Sequence, residues 1–183
     1  MPHDERRLTD RMTAKWSAIT NGTRMPRPCE ITPEAFGDDW KLCVFVELDP
    51  VLWRSRLTYV GESLRNRDRT RGTPQVLNDY HESSLVRLTA AKIPMTIVKR
   101  CPIVFGGVAP HGTKVMLYRA ILLPVSADND RVDHVLGAVN YRDISAAAED
   151  APVETSVLAA TAGSAAPFMA LTGGRIAYPT PRK

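Results

Sequence analysis

The feature that most constrains this chain is a double change in the period of its apolar residues. Near the N-terminus Leu8, Met12, Trp16 and Ile19 recur at helical spacing, and from Leu42 the spacing switches to two. Leu42, Val44, Val46 and Leu48 alternate with Cys43, Phe45 and Glu47, which predicts a strand closed by the Asp49-Pro50 turn. VLWRSRLTYVG (51–61) predicts a second strand joined to the first as an antiparallel hairpin, with Trp53, Ser55, Leu57 and Tyr59 on one face. The middle stretch TPQVLNDYHESSLVRLTAAK (73–92) turns helical around Leu85 and Leu88, and Lys92-Ile93-Pro94 is expected to close that helix. Three further strand-like runs follow: MTIVKRCPIVF (95–105), VMLYRAILLPV (115–125) and VDHVLGAVNY (132–141), with GGVAPHGT and SADNDR as the expected connecting loops. The expected fold class is therefore α+β: a five-stranded antiparallel sheet with helices on one face, plus an N-terminal amphipathic helix.

Three segments follow from this pattern. Residues 1–24 form the N-terminal helix, with Asp4 as its cap, Glu5 in its first turn and Asn21-Gly22 as its stop signal. Residues 25–144 form the sheet domain. Residues 145–183 are rich in Ala, Pro, Gly, Ser and Thr and poor in charge, a composition that buries little and predicts a flexible tail, with at most a short helix near 156–162.

Composition narrows the chemistry. At 183 residues and 44% hydrophobic the chain can build a full core without staples. Its 3 cysteines, Cys29, Cys43 and Cys101, have no CxxC spacing, which fits a reducing compartment, with Cys43 and Cys101 as small buried hydrophobes. The N-terminus carries charge where a signal peptide needs an apolar run, so the expected location is cytoplasmic, without membrane insertion. A formal charge of +4 selects no partner. No GxSxG, GxxxxGK[ST] or HExxH pattern occurs, and His3, His81, His111 and His134 show no metal-ligand spacing; the chain reads as a non-enzyme, and the cofactor is unknown. His134, inside an alternating strand, reads as a structural histidine.

KWSAITNGTRMPRPCEITPEAFGDDWKLCVFVELDP, WRSRLTYVGESL and YRAILLPVSADNDRVDHVLGAVNY together resemble a family of small bacterial single-domain PAS proteins. In that family a Trp-bearing helix, an Arg-Pro linker, an RxRLxxxG strand and a YRxxLLPxS...VDHxLGA hairpin occur in this order. The resemblance covers about residues 8–144 and is sharpest in the last block. It implies a sensory or regulatory protein of bacterial signal transduction, with two strands, helices and then three strands, and with either a small-molecule cavity between sheet and helices or output through protein-protein contacts.

The expected cavity wall is Cys43, Phe45, Trp53, Tyr59, Leu85, Leu88, Tyr118 and Leu122, with His81, Ser55 and His134 as candidate polar groups; His81 is also the candidate haem ligand. The family pattern lapses at RNRDRTRG, where Arg65, Arg67, Arg69 and Arg71 occupy alternate positions. An extended backbone would line these up on one side, a shape suited to an anion or an acidic partner. Leu8, Met12 and Trp16 form the apolar side of the basic first helix, which either lies on the domain or serves as a partner or homodimer surface.

The leading expectation is a regulatory protein acting on a signalling partner. A sensor for an apolar metabolite, haem or an anionic nucleotide is the alternative, and weak nucleic-acid binding through the arginine run is a further one.

Overall fold

A computed structural model of the chain describes residues 7–20, 22–68, 75–111 and 114–144. The expected tail, the Asp4 cap, Glu5, Arg69 and Arg71 lie outside them. Among the described residues five α-helices and five strands run in the order α1 (Leu8–Thr20), α2 (Pro33–Phe36), β1 (Cys43–Glu47), β2 (Arg56–Val60), α3 (Glu62–Asp68), α4 (Leu85–Ala90), α5 (Ile93–Lys99), β3 (Ile103–His111), β4 (Lys114–Val125) and β5 (His134–Ile144). The strands form one antiparallel sheet in the order β2-β1-β5-β4-β3. The first and last strands of the sequence pattern thus meet at its centre, through Val44↔Gly137 and Phe45↔Leu136.

Side-chain alternation assigns the two faces. A Cβ on Gly137 would sit 3.0 Å from Thr89 of α4, 2.9 Å from Val44 and 3.3 Å from Leu122. Val44, Leu122 and Gly137 therefore face α4, and only the absence of a side chain at 137 lets the helix approach so closely. The alternate residues Cys43, Phe45, Ile121, Leu123, Leu136 and Ala138 face the other way. All but Phe45, at 9%, are effectively inaccessible, because α1 packs against β4 and β5 there. Helices cover both faces.

Two of the anticipated elements differ in kind. MTIVK is helical: Pro94 sits in the first turn of α5, where its missing N–H costs nothing, and so starts a helix where the sequence pattern has it ending one. Arg100, in the left-handed region at φ 51°, ends that helix. GGVAPH is strand rather than loop, since Gly106 to Pro110 pair with Arg119 to Val115; a period-two argument misses it because two glycines and a proline carry no apolar signal. Cys101 is exposed at the α5–β3 junction, whereas Cys43 is buried. The SADNDR connection is as expected, with the Asp128 carboxylate accepting from Ser126 and from the backbone of Asp130 and Arg131.

Helix α1 is fixed by more than apolar contact. Leu8, Met12 and Trp16 are buried in the same core as the sheet, so the surface considered for a partner or a dimer is covered by the protein itself. The Trp16 indole N–H donates to the Pro124 carbonyl at 2.9 Å. Pro124 is tolerated in an inner strand because β3 pairs only as far as Leu122, leaving no ladder partner on that side. On the flank of α1, Arg11 and Lys15 both reach Asp39, at 2.6 and 2.8 Å, and Lys15 also donates to the Phe36 carbonyl. Burial raises the Asp39 pKa, but the hydrogen bonds from Arg11 and Lys15 outweigh it and hold the carboxyl below its ordinary value.

Because that folded-state pKa is depressed, the stabilisation is present above the ordinary value of 3.8 and is lost as pH falls through the folded value. Asp39→Asn should cost about 1–3 kcal/mol at neutral pH, a deficit that shrinks as the medium is acidified below the carboxylate range. Urea unfolding across pH measures both. Met12→Ala, at a fully buried position, should cost about 2–5 kcal/mol by the same assay; a change near zero would show α1 undocked in solution.

Candidate functional site

The residues expected to wall a cavity are divided by the sheet. Leu85, Tyr118 and Leu122 lie on the α4 side, with Trp53 held close to α4 by the Arg87 guanidinium, 4.2 Å above its ring. Cys43, Phe45 and Tyr59 lie on the other side. Tyr59 stacks on Trp40 at 4.3 Å and donates its hydroxyl to the Trp40 carbonyl. Phe45 stacks on His134 at 5.5 Å, and His134 shares a 2.7 Å hydrogen bond with Asp133, the structural role read from its strand position. Burial and then the Asp39 charge push the Cys43 thiol far up, so it is not a nucleophile. The single wall fails because Cys43, Phe45 and Tyr59 share one parity while Tyr118 and Leu122 carry the other; a strand pattern shows which residues share a face, but not which faces of different strands coincide.

The polar candidates separate in the same way. Ser55 is buried in the β1–β2 connection, where its hydroxyl accepts from the Asp49 N–H. His81 is exposed and bonded to Ser83, away from the sheet-facing interior, so nothing places it as an axial ligand. Among the described residues no group of three or more His, Cys, Asp or Glu is arranged to hold a metal ion.

The described part of the arginine run is not extended. Glu62–Asp68 is helical, so Arg65 and Arg67 lie two helical positions apart and diverge. Arg65 is exposed. Arg67 turns onto the sheet: its guanidinium forms a two-pronged ion pair with Asp143 of β5, stacks over Tyr141 at 4.7 Å and lies 3.4 Å from the Met116 sulfur. A residue expected to greet an outside anion clamps α3 to the far end of β4–β5 instead.

On the side of the sheet that carries α3 and α4 lie polar groups that the sequence pattern does not reveal. Arg67 Nε, Tyr80 Oη and Thr89 Oγ1 are buried there without a hydrogen-bond partner. Burial, then the Asp68 charge, push the Tyr80 phenol up to about 12, so it stays a neutral O–H donor at physiological pH. Thr89 stands directly over Gly137. Each such buried group is unusual, because it forfeits its hydrogen bonds to water. In sequence Tyr80 and Thr89 look like ordinary members of a helical stretch.

No protein-family profile matches the chain, and no curated protein is similar to it at a significant level.

If those hydroxyls are unpaired in the free protein, Tyr80→Phe and Thr89→Val should each be neutral or stabilising by about 1 kcal/mol. Loss of more than about that amount in chemical unfolding would mean that each already has an internal partner.

Proposed function

We propose that the chain is a non-enzymatic regulatory or sensory module of the PAS type, working in the bacterial cytoplasm through contact with a signalling protein. The observation that carries the reading is the connectivity. Two strands, a helical stretch and three strands close one sheet, in the order and over the residues for which the motifs resemble that family.

Contact with a partner is supported by the outer side of α5. Met95, Ile97 and Val98 are exposed there, Val98 at 82%, with the exposed cations Lys92 and Lys99 beside them. A partner presenting apolar anchors within an acidic rim fits this surface. Crosslinking in cells followed by mapping should place the crosslinks on α5, and Ile97→Glu with Val98→Glu should abolish them while leaving the unfolding midpoint within about 0.5 kcal/mol. Crosslinks that map elsewhere, or survive the double variant, would overturn the reading.

A ligand sensor is the second reading, favoured by the unpartnered Arg67 Nε, Tyr80 and Thr89 groups. These donors suit a small polar molecule rather than an apolar metabolite or haem. A ligand at about 100 times its dissociation constant stabilises the folded state by about 2.7 kcal/mol. A metabolite that does so for the native chain, but not for Tyr80→Phe with Thr89→Val, would establish this reading.

A further inference from the structure

Where the β4–β5 ladder runs beyond the end of α1, an open cleft of about 600 Å³ is lined by Arg7 and by the strand residues Leu117 to Arg119 and Asn140 to Arg142. Leu117, Arg119, Asn140 and Arg142 share the sheet face opposite α4, since Leu117 pairs with Arg142 and Arg119 with Asn140. Arg119 and Arg142 are therefore diagonal neighbours about 7–8 Å apart at the backbone, and Arg7, at the start of α1, closes a third side.

The acids nearest these three cations are taken or turned away. Asp39 is taken by Arg11 and Lys15. Asp143, the nearest acid on β5, has the opposite parity and is engaged by Arg67 through the sheet's other face. Arg7, Arg119 and Arg142 make no ion pair with any described residue. Three guanidinium groups around one concavity, without an acidic partner among the described residues, form a strongly attractive site for a compact multivalent anion, and their fork geometry matches phosphate oxygens. The Asn140 amide, whose oxygen accepts from the Tyr141 N–H at 2.8 Å, offers its NH2 as a donor, and Leu117 supplies an apolar floor.

We infer that this cleft binds a phosphorylated small molecule, its phosphates held by Arg7, Arg119 and Arg142 and its organic portion resting on Leu117. Its volume is in the range of small-molecule sites and exceeds what a lone phosphate needs. The site is independent of the compartment that holds Tyr80 and Thr89 and of the α5 surface, so it stands or falls separately from the proposed function.

The experiment is calorimetric titration of the full chain with ATP, with pyrophosphate and with uncharged adenosine. ATP and pyrophosphate should bind, with affinity falling as salt is raised, and adenosine should not. Arg119→Gln with Arg142→Gln should weaken ATP at least about tenfold, whereas Arg54→Gln, removing an exposed arginine outside the cleft, should leave it unchanged. Both substituted positions are exposed, so the unfolding midpoint should hold and a loss of binding would not reflect misfolding. Three results would overturn the inference: no binding of ATP or pyrophosphate, equal weakening by Arg54→Gln, or binding of a single-stranded oligonucleotide where ATP does not bind.

Discussion

The β4–β5 ladder must be buried on both faces over its inner half, and the rest of the molecule is arranged around that requirement. From Ala120 to Val125, and from Val135 to Val139, consecutive residues are buried whichever way they point. A single helical layer covers one face only. The second cover is α1, which brings Leu8, Met12 and Trp16 to the sheet and is held by the Trp16–Pro124 hydrogen bond and by Asp39 between Arg11 and Lys15. An Asp39 carboxylate without those cations would be a buried charge without compensation, so the helix and the turn carrying Asp39 stabilise one another.

Beyond α1 the same strands change character. Arg119, Asn140 and Arg142 take positions equivalent to those filled by Ile121, Leu123 and Ala138 further in, and they are exposed. On the α4 face, the strand ends are instead held by Arg67 against Asp143 and Tyr141. One end of a two-stranded ladder therefore displays an engaged arginine on one side and unengaged arginines on the other. That asymmetry, produced by parity and by the length of α1, separates a structural cation from candidate binding cations.

The interior next to α4 differs from the core beneath α1. Under α1 the contacts are apolar and the polar groups are matched, down to the Cys43 thiol donating to the Asp39 carbonyl. Next to α4, Arg67 Nε, Tyr80 and Thr89 have unmet hydrogen-bonding capacity. A well-packed interior normally avoids this cost.

Much of the fold was legible in the residues themselves. The helical spacing of Leu8, Met12 and Trp16, the alternation from Leu42 to Leu48, and the late runs through Tyr118 and Val135 each reflect local geometry, because a half-buried element imposes its own period on the chain. Helix α5 and the second half of β3 were not legible, since Pro94 permits a helix start as readily as a stop and Gly106, Gly107 and Pro110 carry no periodic signal. Nor was the function of any arginine. Whether Arg67 meets Asp143, and whether Arg119 and Arg142 meet an acid among the described residues, depends on which strands become neighbours and which face α1 covers. Those are relations between residues far apart in the chain, and only the folded sheet decides them.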